Sequence, residues 1–100
     1  MQTFVKLYDW TIRTGLTLEE RVVLSLIHQL SENSTGFWAG YKSMSDRLGI
    51  PKSKCKQIVK LLEDNGMVTE SRGTILGKTR IIFKSNMELI NKISRAHANI

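Results

Sequence analysis

One stretch constrains the fold of this chain more than any other. Between Tyr41 and Phe83, two helical patterns meet at a glycine turn and are followed by two β-branched segments. In YKSMSDRL (41–48), Met44 and Leu48 point inward while Lys42, Ser43 and Arg47 point outward. Gly49 ends that helix, because glycine takes the left-handed cap at little steric cost. Ile50 plugs the turn, and Pro51 opens the next helix, where its missing N–H is not needed. From Lys52 to Asn65 the residues Cys55, Ile58, Val59 and Leu62 make one apolar face. Lys52, Ser53, Lys56, Gln57 and Lys60 lie on other faces, with Lys54 near the helix start. After Gly66 the texture changes: Met67–Ser71 and Thr79–Phe83 read as two strands, with Arg72–Lys78 as a flexible tip holding two glycines.

The flanks are helical as well. Thr17-Leu18-Glu19-Glu20 is a capping box, and Val22, Val23, Leu26, Ile27 and Leu30 follow at helical spacing. That helix ends near 31–33, and residues 31–36 (SENSTG) form a loop by composition. Phe37-Trp38-Ala39 reads as a short strand. Before the first helix, an extended piece through Tyr8 leads to a brief helix with Asp9 as N-cap and Gly15 as stop. Phe4, Tyr8 and Trp10 are expected as core or interface anchors. Asn86 caps a last helix whose apolar stripe holds Ile90 and Ile93, with His97 and Ile100 as further candidates.

Two helices joined by a short turn containing glycine are a helix-turn-helix, and a hairpin after them reads as a wing. The expected fold class is therefore α+β: a winged helix-turn-helix, mainly helical, as one domain over 1–100. The helix-turn-helix spans about 41–65, the wing about 67–84 and the last helix about 86–98. The 100 residues, 41% of them hydrophobic, bury one modest core and leave little room for a catalytic cleft. A single Cys excludes an internal disulfide framework and suggests a reducing, cytoplasmic setting. No apolar run approaches the roughly 20 residues that span a bilayer, and the first residues do not read as a signal peptide.

The charge is not scattered. Of a net +6, residues 41–60 carry +5 and residues 72–84 carry +4, with −3 on residues 61–71 between them. A basic surface on a small domain points to polyanions, and duplex DNA rewards phosphate neutralisation by counterion release. The second helix of the motif would enter the major groove while the first crosses the backbone. The candidate DNA-binding residues are Lys42, Ser43, Lys52, Ser53, Lys54, Lys56, Gln57 and Lys60, with Arg72, Thr74, Lys78 and Arg80 on the wing.

Residues 36–68 (GFWAGYKSMSDRLGIPKSKCKQIVKLLEDNGMV) resemble the winged-helix domains of Gram-positive plasmid and phage replication initiators. They are also similar to small conjugation accessory proteins that bind plasmid transfer origins. The resemblance extends over about 4–84 and includes FVKLYDW (4–10). It implies duplex DNA binding at repeated or inverted sites by a protein of a mobile element, with a relaxase or replication protein as partner. The chain departs from that pattern where Pro51, Lys54 and Cys55 replace a capping Ser or Thr and a following Thr-Val. It also carries Lys where relatives often carry Arg. Lys acts mainly as a point charge, whereas Arg pairs bidentately with guanine. The recognition helix is therefore expected to supply phosphate affinity, with Gln57 and one Lys reading bases, and the wing an unusual share of discrimination.

Other readings stay beside this one. The same lysines could be an ordinary solvated face, and the wing charges could discourage edge-strand aggregation. Cys55 reads as a buried structural thiol, and His28 as a surface partner of Glu32 at i+4. Trp38 and Tyr41 pack against the first helix or stack on a base. No metal-ligand spacing, catalytic set or phosphate-binding glycine loop appears, so neither a cofactor nor an enzyme activity is expected. The last helix closes the core or packs on a second copy, with a homodimer preferred. The alternatives in function are a small transcriptional regulator and a winged helix used as a protein–protein module.

Overall fold

The computed structural model describes residues 6–98, and side chains as far as Arg95. Phe4, His97 and Ile100, named above as candidate anchors, lie outside the described side chains. A 3-10 helix at Asp9–Thr14 precedes α1 (Leu18–Asn33), α2 (Gly40–Leu48) and α3 (Lys52–Asp64). The strands β1 (Val68–Ile75) and β2 (Lys78–Ser85) and the helix α4 (Met87–Ala98) complete the chain. The architecture is α+β, with five helices and a two-stranded antiparallel sheet among the described residues, and it is compatible with the expected winged helix.

Local chemistry explains most of the boundaries. The Thr17 side chain accepts from the Glu20 amide at 3.3 Å while the Glu20 carboxylate accepts from the Thr17 amide at 2.9 Å. These reciprocal bonds satisfy two of the donors that a helix start leaves open. Gly49 caps α2 in the left-handed region, and Asn86 Oδ1 accepts from the Leu89 amide at 3.2 Å to start α4. Ahead of α1 the expectation needs correcting: Tyr8, not Asp9, is the N-cap of the 3-10 helix. Asp9 is its first residue, where a carboxylate favours the positive end of the helix dipole.

The core forms where the apolar faces of the helices meet the base of the hairpin. Val23, Leu24, Leu26 and Ile27 of α1 face Cys55, Ile58, Val59 and Leu62 of α3, with Met44 of α2 and Ile50 of the turn beside them. Val68 and Phe83 bring the hairpin base onto this cluster, and Ile90 of α4 closes it at 1% exposure. The Ile90 stripe is thus used inside the chain. Cys55 is fully buried, its thiol donating to the Ile50 carbonyl at 3.6 Å, and burial pushes its pKa up. That is the environment of a structural thiol.

Two expectations about the β region change. The short strand at Phe37 reduces to one bridge, in which Phe37 and Phe83 exchange two backbone hydrogen bonds of 2.8 Å. Gly36 makes this approach possible: a Cβ there would sit 2.5 Å from the Phe83 carbonyl oxygen. The flexible tip is also not a long loop. Ladder pairing runs from Val68↔Ser85 to Ile75↔Lys78, so only Leu76 and Gly77 remain in the turn. Both have positive φ, 51° and 77°, as a type I′ turn requires. Gly73 is a strand residue whose missing side chain leaves room for Ile82, since a Cβ there would lie 2.8 Å from Ile82 Cδ1.

Candidate nucleic-acid interface

The outer side of α3 is built by the same periodicity that builds its inner side. With Cys55, Ile58, Val59 and Leu62 buried, spacings of three and four put Ser53, Lys56, Gln57 and Lys60 on the opposite face. All four are exposed, as are Lys52 and Lys54 at the helix start. Thirteen residues make a rod of about 20 Å, of a size that a major groove about 12 Å wide admits. Asp64 continues the same face at its far end, so the positive charge lies toward the N-terminal part of α3.

The candidate residues do not all present free charge. Lys54 reaches Glu19 of α1 at 3.1 Å, and Lys42 pairs with Asp46 one turn along α2 at 3.0 Å. Both pairs are exposed, where such contacts are weak and exchange readily. Ser43 is half-buried on α2. Lys52, Lys56 and Lys60 appear in no ion pair among the described residues.

The hairpin divides its candidates in two. Cross-strand partners share a face, so Arg72, paired with Ile81, and Thr74, paired with Thr79, lie on the face that carries Val68 and Phe83. Lys78, paired with Ile75, and Arg80, paired with Gly73, lie on the other. Arg72, Thr74 and Lys78 are exposed, but Arg80 is half-buried. Its guanidinium stands 5.9 Å from the Trp38 ring centroid, and its Nε is buried without a hydrogen-bond partner. Arg80 is therefore a packing residue in large part. Lys84 is exposed on the face of Lys78 and Arg80, and its place there follows from strand alternation once the register is known.

Beside β2 runs an open groove of about 330 Å³, lined by Trp38, Tyr41, Thr79, Arg80, Ile81 and Phe83. Tyr41 and Phe83 rings lie 5.7 Å apart, so Tyr41 packs on the hairpin base at the edge of the core. Burial, then Glu63 and Glu70, push the Tyr41 pKa up. Burial first, then Glu70 and Asp64, raise the Glu63 carboxyl as well. The crease between α3 and the hairpin is thus acidic, with basic side chains on both flanks.

His28 is not a surface residue. It is 4% exposed, 2.9 Å from Ser85 Oγ through Nδ1 and 3.4 Å from Glu32 through Nε2. The Tyr8 and Trp10 rings meet it edge-on at 4.8 and 5.5 Å. Burial lowers its pKa, which Glu32 opposes and Lys6 reinforces. The Tyr8 hydroxyl donates to Glu32 at 2.6 Å, and its pKa is pushed up to about 12, by burial first and then by that carboxylate. This cluster ties the 3-10 segment to α1 and β2, a structural use that sequence separation conceals.

No group of three His, Cys, Asp or Glu among the described residues is placed to hold a metal. No helix among them is long and apolar enough to cross a membrane. Comparison of the chain with family models, with curated proteins and with solved structures returned no match.

Proposed function

We propose that this chain is a winged helix-turn-helix domain that binds duplex DNA with sequence preference and without catalysis. One observation carries the reading: α3 offers an exposed face of Ser53, Lys56, Gln57 and Lys60 that the core does not use. Lys56 and Lys60 supply charge for phosphates, while the Gln57 amide can donate to and accept from an adenine edge. The hairpin adds Arg72, Thr74 and Lys78 at and near its exposed end. The role as an origin-recognition or accessory factor in replication or conjugative transfer follows from the resemblance carried by residues 36–68.

The experiment is selection of bound sites from a random duplex pool, followed by titration of a selected and a scrambled duplex at several salt concentrations. The reading expects a steep loss of affinity with salt on both duplexes, and a preference for the selected one that survives at high salt. Equal affinity for the two at every salt concentration rejects it and favours the protein–protein module.

A further inference from the structure

We propose that Leu76 is an apolar wedge that enters the minor groove of duplex DNA and pries open a base step there. The inference rests on the DNA-binding reading above and deepens it. Two independent observations meet at this residue. The first is exposure: Leu76 is 85% exposed, more than any other large apolar side chain described, with Ile12 next at 65%. The second is backbone conformation: at φ 51° it is the one non-glycine residue with positive φ among the described residues. In a type I′ turn that position favours Asn, Asp or Gly, because a larger side chain crowds the backbone in the left-handed region.

Neither feature serves the fold. The side chain contributes nothing to the core, and the turn would close more readily with Asn. A bulky apolar residue held in the left-handed backbone region, at the apex of a projecting ribbon, points to a contact outside the chain. The surroundings identify that contact. From Ser71 to Met87 there is no acidic residue, and Arg72, Lys78, Arg80 and Lys84 make the ribbon basic beyond Glu70. From Arg72, where the ribbon leaves the core, four residues reach the tip, a projection of about 13 Å. A minor groove about 6 Å wide is too narrow for the ribbon itself but takes a single side chain between two phosphate ranks. Leucine is among the side chains that unstack a base step from that groove and bend the duplex.

The test compares the wild type with Leu76→Asn and Leu76→Met on a selected duplex. It measures affinity, bend angle from the mobility of circularly permuted probes, and melting of the free protein. The wild type and Leu76→Met are expected to bend the duplex alike. Leu76→Asn is expected to lose the bend and bind about tenfold more weakly, while melting no lower than the wild type. If Leu76→Asn bends and binds like the wild type, or Leu76→Met loses as much as Leu76→Asn, the wedge is overturned and DNA binding stands. If the wild type prefers no duplex, the DNA reading itself fails and the wedge with it. Binding to phosphatidylserine vesicles that Leu76→Asn abolishes, with the bend unchanged, overturns it in favour of a membrane contact.

Discussion

The Lys54 ammonium lies 3.1 Å from the Glu19 carboxylate and joins the start of α3 to the first turn of α1. Both side chains are about half exposed, so the pair contributes at most about 1 kcal/mol to stability. Its larger effect is on charge, because Glu19 competes with any anion that approaches Lys54. On the proposed reading, Glu19→Gln frees the lysine for a phosphate. Duplex affinity then rises severalfold at low salt, and the salt slope steepens by about 0.9, the value for one phosphate. Anisotropy titrations across salt concentrations check this, and an unchanged slope means that Lys54 meets no phosphate.

The outer face of α3 should separate affinity from discrimination. Lys56→Ala and Lys60→Ala are each expected to weaken selected and scrambled duplexes alike and to flatten the salt slope by about 0.9. Gln57→Ala is expected to leave the slope alone and to cost about 1–3 kcal/mol on the selected duplex only. The same titrations on paired duplexes read both effects.

His28 should give stability a defined pH dependence. Burial holds its folded pKa below the ordinary 6.5, so the unfolded chain takes up the proton first as pH falls. The contribution of neutral His28 is therefore fully present above about pH 6.5 and declines below it. Urea denaturation at a series of pH values is expected to show that decline in the wild type. In His28→Gln, which keeps an amide beside Ser85, the part of the slope near pH 6 should vanish.

Glu63 works in the opposite direction. Its folded pKa is raised, by burial first and then by Glu70 and Asp64. Its contribution is therefore present below the ordinary 4.5 and lost as pH rises through the folded value. Glu63→Gln is expected to stabilise the protein at neutral pH and to change little in acid. On the proposed reading it also tightens duplex binding, because one negative charge leaves the crease between α3 and the hairpin. Denaturation at the two pH values, with one binding titration, tests both parts.

The capping box offers a check on the fold alone. Thr17→Ala removes the side-chain acceptor for the Glu20 amide and should cost about 1 kcal/mol. For a domain of this size that lowers the melting temperature by about 4–8 °C. A calorimetric scan measures it, and no change in DNA affinity is expected.

Local signals were legible wherever one residue type satisfies one backbone need. Thr17 with Glu20, Gly49 and Asn86 each mark a helix end for a reason confined to a few neighbours. The exposed face of α3 was legible for the same reason, because period 3.6 fixes the outside once the inside is apolar. What escaped depends on tertiary context. The turn at Leu76-Gly77 was hidden because leucine is no turn former and Gly73 offered a competing signal inside the same stretch. His28 looked like a surface partner of Glu32, since nothing local announces that Ser85, 57 residues away, covers it. Arg80 looked free for the same reason: its stack on Trp38 exists only once Phe37 has paired with Phe83.

The two-residue turn also limits how such a ribbon can vary in length. Facing residues alternate sides along the ladder, so removing one cross-strand pair would exchange the faces of every residue beyond it. Lys78 would then change sides relative to the base at Phe37 and Phe83, while the core beneath stayed intact. Removing two adjacent pairs shortens the reach by about 7 Å and restores every face. Relatives of this chain should therefore differ in hairpin length by even numbers of pairs, a spacing rule that can be looked for without knowing what the hairpin touches.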